Sequence, residues 1–575
     1  MAGILIPTIT AHLQHAFDAV IAPCVAVNLR PAEITSADLQ TNDALRLGVT
    51  YPGGAKALAE AVAARVPEGE LHEPPWVSGP GYLNVRLRDC WLARHLVQVV
   101  QDDALSLVPP IRPRRVLVDY SSPNVAKRMH VGHLRSTILG DALVRVLRRV
   151  GHEVLGDNHV GDWGTQFGLL LWGCKALLHR APTDLADVNI DTLEELYRNA
   201  STRARADPEV AEAARRELVA LQQGDPQRLA VWERFVALSR HEAERLYARL
   251  DVRHDLWLGE SYYNPMLPGV VARLRASGLA EDSEGAVVVR FPEGSELASM
   301  PFLVEKSDGG YLYATTDVAT VIDRIERLHA EHIIYVVDVR QALHFRQLFT
   351  TARLLGYDAR LDHVGFGMML GADGRPFRTR DGGTVTLEAL LDEAEERVLP
   401  IVRERWPDAS PTELHTLAAC IGVSAIKYAD LSMSLATDYR FDWERMLSAE
   451  GDTGPYLLYG LVRLRSLLRR ADSRQGEAID ADAVTFATPI ERRLAVTLAR
   501  FGDVLDQTAE QLRPHVLCNY LHGLVKTFSN FYHDCPVLDA PTEATRASRL
   551  LLVRASERVL AAGLECLNLP RIDRM

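Results

Sequence analysis

The stretch from Arg115 to Leu155 constrains the fold more than any other. Val116-Leu117-Val118 is the short apolar pattern of a buried strand. A polar loop runs from Ser121 to Met129. Then Leu134, Ile138, Leu139, Ala142, Leu143, Val146 and Leu147 recur at helical spacing, Gly151 stands where a C-cap belongs, and Val154-Leu155 begins another strand. Strand, loop, helix, strand is the opening of a doubly wound parallel sheet. The texture returns later: helix over Ala319–Leu328, strand over Ile333–Val337, helix over His344–Leu355, strand over His363–Met369. The polar helical stretch from Asp184 to Leu250 reads as an insertion splitting the sheet, and the inserted part is taken to extend to about residue 310.

On either side the pattern changes. Residues 1–110 are mixed, with a helix over Ala55–Arg65, a strand over Gly81–Leu87 and a Pro-rich linker Val108-Pro109-Pro110-Ile111-Arg112-Pro113 that cannot continue a helix. After Leu387 strand signals nearly vanish, and Glu413–Met433, Pro455–Arg470, Pro489–Arg513 and Ala547–Leu567 carry helical periodicity. The expected architecture is an α/β, doubly wound, Rossmann-like domain over 114–390 between an α+β N-terminal domain over 1–110 and an all-α C-terminal domain over 391–575.

Composition narrows the partners. A chain of 575 residues with 47% apolar residues can bury large cores, and a formal net charge of −12 excludes a non-specific nucleic-acid coat. The seven cysteines form no C-x-x-C pair, so no zinc knuckle and no resident metal is expected. Met1–Gln14 has no basic n-region, and no run reaches the ~20 apolar residues of a membrane span, so a cytoplasmic protein without membrane contact is expected.

The chemistry is concentrated in Asp119-Tyr120-Ser121-Ser122-Pro123-Asn124-Val125-Ala126-Lys127-Arg128-Met129-His130-Val131-Gly132-His133, within the first strand-to-helix crossover. That crevice is where open α/β sheets bind ligands, and a helix N-terminus there favours phosphate. His130 and His133 point to neighbouring directions on the first turn and can stabilise charge developing on phosphates. Lys127 is a flexible point charge for the same task, and Gly132 lets a flat ring approach the backbone. A chance histidine pair, or a metal pair lacking a third ligand, is the alternative reading of H-x-G-H alone.

The segment resembles the HIGH signature of class I aminoacyl-tRNA synthetases, and Ser122-Pro123-Asn124-Val125-Ala126-Lys127 narrows the resemblance to the arginyl-tRNA synthetases. It continues through Leu134–Asp141 and Asn158–Gly168 and covers nearly the whole chain. It implies an enzyme that activates L-arginine with ATP, Mg²⁺ assisting, and loads it on tRNA(Arg), with adenylate formation requiring bound tRNA. A monomer is implied. The three domains become an appended domain touching the tRNA elbow, a catalytic domain and an anticodon-binding domain.

The resemblance also implies site residues. Lys127, His130, Gly132 and His133 would hold ATP. Asp119, Ser122, Asn124, His133, Tyr313, Asp317 and Gln341 would surround L-arginine, with Asp317 offering its carboxylate to the guanidinium. Read without the resemblance, Asp317 is an ordinary cap of the helix beginning near Val318 and Tyr313 is a packed ring. The second class I signature, KMSKS, is altered here to Gly374-Arg375-Pro376-Phe377-Arg378-Thr379-Arg380-Asp381-Gly382-Gly383. Arg378 and Arg380 are the candidates for the pyrophosphate end, against a solvated basic turn, and the resemblance implies that Lys127 compensates.

For tRNA, the basic amphipathic helix Tyr456–Arg470 offers Tyr459, Arg463 and Arg465 beside an apolar stripe of Leu457, Leu461, Leu464 and Leu468. Phe528 could stack on a base or belong to a core with Tyr532. Gln40 and Asn42 are candidate base readers in the appended domain, where amides also serve turns. Met433 and Leu435 stand where relatives often carry polar residues. Two rivals stay open: a specialised duplicate with another acceptor, and a non-catalytic tRNA-binding scaffold.

Overall fold

The computed structural model describes residues 3–21, 26–32, 34, 36–176, 188–371, 373–375, 377, 385–471 and 480–574. Two compact units emerge, one of residues 1–112, 149–151 and 448–575, the other of 113–148 and 152–447.

The first unit begins with α1 (Leu5–Ile21), β1 (Arg30–Pro31), β2 (Leu39–Thr41), α2 (Asp43–Leu47), α3 (Gly54–Ala63), β3 (Trp76–Ser78), β4 (Tyr82–Val85) and α4 (Asp89–Gln101). Its strands form one antiparallel sheet in the order β1-β2-β4-β3. Leu5, Ile9, Leu13 and Phe17 fall four apart and are fully buried, which is what makes α1 one-sided.

The second unit holds the expected parallel sheet. Its elements are β5 (Arg115–Asp119), α5 (Val131–Arg149), β6 (Glu153–Asp157), α6 (Thr165–Ala176), α7 (Ile190–Ala206), α8 (Pro208–Gln222), α9 (Pro226–Arg249), α10 (Glu260–Tyr263), α11 (Leu267–Ala276), β7 (Ala280–Ser283), β8 (Ala286–Val289), β9 (Phe302–Glu305), α12 (Tyr313–Glu326), β10 (His332–Asp338), α13 (Ala342–Leu354), β11 (Arg360–Phe366), β12 (Met369–Leu370), α14 (Leu387–Arg405), α15 (Pro411–Leu431), β13 (Tyr439–Arg440) and α16 (Trp443–Met446). The main sheet runs β11-β10-β5-β6, all parallel, so the chain order reverses between β5 and β10. That reversal opens the crevice at the carboxyl ends of the strands. Gly151, at φ +95°, follows α5 and turns the chain towards β6, as its position in the sequence suggested.

The insertion is less uniform than its polar helical texture suggests. Helices α7, α8 and α9 start on side-chain caps, two of them Asp207-Pro208 and Asp225-Pro226, where proline at the first helical position costs no hydrogen bond. Beyond α11 comes a three-stranded antiparallel sheet, β7-β8-β9, which the helical reading of this part did not contain.

The first unit ends with α17 (Gly454–Ala471), α18 (Pro489–Ala499), α19 (Phe501–Gln511), α20 (Pro514–Asp534) and α21 (Glu543–Cys566). Pro489–Arg513, expected as one helical stretch, breaks at Arg500 into α18 and α19. The N-terminal and C-terminal segments pack as one body: α4 lies against α18 and α21, and Arg492 of α18 makes two hydrogen bonds to Asp38, of 2.8 and 2.9 Å, and one of 2.7 Å to Asp89.

The expected boundary at 391 is moved. α14 and α15 belong to the sheet unit, and the change falls at 447/448. Asp430 of α15 is ion-paired with the buried Arg135 of α5 at 3.1 Å, Lys427 donates to the Leu250 carbonyl, and β13 pairs with β12. Helical periodicity shows that a helix has a buried face but not what covers it.

Candidate active site

Where β5 ends, the chain enters an unusual turn. Ser121 and Ser122 have φ of +73° and +48°, left-handed conformations that serines seldom adopt. Neighbours hold them there. The Ser121 N–H donates to Ser136 Oγ at 2.8 Å and its hydroxyl lies 2.6 Å from that of Tyr247, while the Ser122 N–H donates to Asn158 Oδ1 at 3.0 Å. Such strain persists only where surroundings over-determine it, and it clusters at ligand sites.

Asp119 lies beneath this turn and is 5% exposed. One oxygen accepts from Ser122 Oγ at 3.1 Å, the other from Arg324 Nη2 at 2.7 Å, and the same guanidinium nitrogen reaches Asp157 at 2.8 Å. Asp119 is thus a support of the Ser122 turn, not an open carboxylate for arginine as the resemblance implied. Arg324 is fully buried on α12 and locks the ends of β5 and β6 to that helix.

The two histidines start α5 with their rings 4.1 Å apart. The Gly132 N–H donates to His130 Nδ1 at 3.0 Å, and the His130 N–H donates to His133 Nδ1 at 3.2 Å. With both Nδ1 atoms accepting, each neutral ring carries its proton on Nε2. Burial lowers both, His130 below its ordinary value with Lys127 adding to the effect, and His133 down to about 3 with His130 and Lys127 adding. The pair is therefore a set of neutral N–H donors rather than a second positive charge. Gly132 leaves room for the ring: a Cβ there would stand 2.7 and 2.8 Å from Cε1 and Nδ1 of His130 and would push the imidazole from this position.

Lys127 follows the same loop, its ammonium 4.9 Å from the centre of the Tyr197 ring on α7. Arg128 pairs with Asp191 and Glu194 of that helix. A cleft of about 580 Å³, counted to its open mouth, lies alongside, lined by Asn124, Lys127, Met129, Asp162, Trp257 and Gly259 among others. Asn124 is exposed and bridges to Gly161.

Next to Asp162 stands Glu260, which sequence reasoning missed. Its carboxyl is pushed up to about 8 by burial, then by the fields of Asp162 and Asp317. Asp317 is the fifth residue of α12, too far along to cap it, so the bland expectation for this residue is overturned. Its Oδ2 lies 2.5 Å from Nε2 of His344. Tyr313, expected at least to be packed, is 74% exposed; burial of its hydroxyl end and the fields of Glu260 and Tyr197 raise its pKa. Gln341 is exposed at the start of α13. Asn124, Lys127 and Asp162 share the lining of the cleft, and the fields linking Asp162 and Asp317 to Glu260, and Glu260 to Tyr313, put those residues near one another. Arg378 and Arg380 lie outside the described residues.

The tRNA candidates divide. Arg463 of α17 stacks over Tyr459 at 4.7 Å and over Tyr532 of α20 at 5.3 Å and donates to the Tyr459 hydroxyl, all three residues being half-buried. Arg465 is corrected: its guanidinium pairs with Glu557 at 2.9 Å and Asp573 at 2.6 Å, so its charge is spent inside the unit. Phe528 is also corrected, being 1% exposed and packed near Phe531 and Tyr532, which is the core alternative. Gln40 sits in β2 and is 4% exposed, not in a reading loop, whereas Asn42 is half-buried before α2 with no capping bond. Met433 and Leu435 are both half-buried.

Among the described residues no helix is long and apolar enough to cross a membrane. Comparison with known proteins is consistent along the chain. Residues 95–443 match the family model described as tRNA synthetases class I (R), catalytic domain; residues 457–575 match the DALR anticodon binding domain; residues 5–87 match the arginyl tRNA synthetase N terminal domain. The arginine–tRNA ligase of Proteus mirabilis is 43% identical over 551 residues, 95% of each chain, and that of Azotobacter vinelandii is 46% identical over 547 residues, 94% of this chain and 93% of its own. Among solved structures, the arginyl-tRNA synthetases of Plasmodium falciparum and Thermus thermophilus align over 100% of both chains at 28% identity, with TM-scores of 0.87 and 0.83.

Proposed function

This chain belongs to the class I arginyl-tRNA synthetases, which join L-arginine to tRNA with ATP, and from that premise we propose how its own residues divide the reaction. The Nε2–H groups of His130 and His133, with the ammonium of Lys127, meet the ATP phosphates at the start of α5. Neutral donors and one cation there stabilise the charge that grows as the arginine carboxylate attacks the α-phosphorus and pyrophosphate leaves. In the second step the terminal ribose hydroxyl of tRNA attacks the adenylate carbonyl and AMP leaves.

Asn124 and Ser122 orient the amino-acid end, and Asp317 with Glu260 takes the guanidinium, Tyr313 and Gln341 closing over the chain between. A guanidinium has donors only and keeps its charge, so two adjacent carboxyls are its natural receptor. The observation that carries this reading is the crowding of Asp162, Glu260 and Asp317, whose mutual cost a bound cation relieves.

Arg463 and Tyr459 are proposed to contact the tRNA on the α17 surface, and Asn42 on the N-terminal domain. Mg²⁺ would arrive with the ATP phosphates, and no group of three or more metal-binding side chains stands together among the described residues. The magnesium requirement, a monomeric state and a cytoplasmic location are part of this proposal and rest on the family alone. Arginine-dependent pyrophosphate exchange and tRNA charging test the assignment: His130→Ala should lower kcat by about 10²-fold or more, and Asp317→Ala should raise KM for arginine selectively. Full activity in both variants would overturn the reading.

A further inference from the structure

We infer that His344 is a positioning residue for arginine selection: it fixes the plane of the Asp317 carboxylate so that the side chain meets a guanidinium already aligned. This rests on the reading of Asp317 given above. The two residues lie on packed helices, Asp317 on α12 and His344 as the third residue of α13. His344 Nε2 stands 2.5 Å from Asp317 Oδ2, within hydrogen-bond distance of one carboxylate oxygen and not the other. The imidazole is itself held, with its ring 5.6 Å from that of Phe302 on β9 and 5.5 Å, edge-on, from that of Phe345.

The physical need is plain. The terminal torsion of an aspartate is broad and nearly two-fold, so an unrestrained carboxylate samples many planes. Recognition of a guanidinium through parallel N–H···O bonds requires one plane. Each carboxylate oxygen has two lone pairs; the imidazole occupies one on Oδ2, leaving Oδ1 and the remaining lobe of Oδ2 for a ligand. The other groups whose fields meet Asp317 are Glu260 on α10 and Tyr335 on β10.

Equilibrium arginine binding and steady-state aminoacylation with the full-length protein test this. His344→Leu should raise KM and Kd for arginine about tenfold, with kcat and KM for ATP altered by no more than about twofold, and should reduce discrimination against citrulline, the uncharged isostere. His344→Gln, whose amide can donate to the same oxygen, should recover most of the affinity. Added to Asp317→Asn, the leucine substitution should cost nothing more, because the residue acts through that carboxylate. A leucine variant with unchanged arginine affinity, or one whose losses fall equally on arginine and ATP and add fully to those of Asp317→Asn, overturns the inference. If Asp317→Asn itself leaves arginine binding intact, it is the assignment of Asp317 that fails instead.

Discussion

The Glu260 carboxyl, on the short helix α10, lies in the field of Asp317 on α12, and burial together with Asp162 and that neighbour pushes it up to about 8. At neutral pH Glu260 therefore holds a proton, which a guanidinium binding beside it must displace. Arginine binding should tighten about tenfold per pH unit from pH 6 towards 8 and level off above, with about one proton released at pH 7. The effect on stability has the opposite sense. The folded-state value lies above the ordinary 4.5, so this group's contribution is complete below about 4.5 and is lost as pH rises through about 8. Calorimetry in buffers of different ionisation enthalpy measures the proton directly. Glu260→Gln should abolish both the release and the pH slope, and a flat profile in the unaltered protein would remove Glu260 from the site.

Arg324 makes a second relationship testable. Its guanidinium is fully buried between Asp119 and Asp157. Replacing it by leucine strands two carboxylates without a cation, and removing one partner of a buried pair costs about 3–5 kcal/mol. Urea denaturation should register that loss. Because Asp119 also holds Ser122, the surviving folded fraction should show weakened arginine binding. A variant with unchanged stability would mean that the two acids take up protons at little cost.

Much of this was legible in the sequence, and the limits are physical. The strand at Val116–Val118 and the stripe from Leu134 to Leu147 fall inside β5 and α5, because a buried strand and a one-sided helix impose strong periods on their residues. The signature loop was legible because its chemistry is local. Glu260 was not, since a four-residue helix has no period to detect; the signal available was one acid among Trp257, Leu258, Tyr262 and Tyr263, an apolar and aromatic setting that foretells burial. His344 could not be paired with Asp317 from sequence, because α12 and α13 meet only in the folded chain. Arg465 and Phe528 failed for a related reason: periodicity assigns a residue to a face, and the partner of that face, Glu557 or the core, lies elsewhere in the chain.

Tyr197 provides a third prediction. It belongs to the insertion, outside every signature, yet its ring lies 4.9 Å from the Lys127 ammonium. A contact of this kind contributes roughly 0.5–2 kcal/mol according to its exposure. Tyr197→Leu should therefore raise KM for ATP or lower kcat by about two- to tenfold, whereas Tyr197→Phe keeps the ring face and should behave as the unaltered protein. Equal effects of the two substitutions would show that the hydroxyl, or packing alone, is what matters.

The corrected tRNA residues allow a discriminating comparison on α17 and α20. Arg465 is tied to Glu557 and Asp573, so Arg465→Ala should cost about 1 kcal/mol of stability and leave KM for tRNA nearly unchanged. Phe528→Ala opens a hole in a core where the ring is 1% exposed, and should cost about 3–5 kcal/mol. Arg463 is the contrasting case: half-buried and stacked on Tyr459 and Tyr532, it has no carboxylate partner among the described residues. Arg463→Ala should weaken tRNA binding and flatten its dependence on salt, since a phosphate contact releases counterions, while the melting temperature moves little. If Arg465→Ala instead lowers tRNA affinity at unchanged stability, the carboxylates around it are a resting arrangement that tRNA displaces, and Arg465 belongs to the tRNA contact after all.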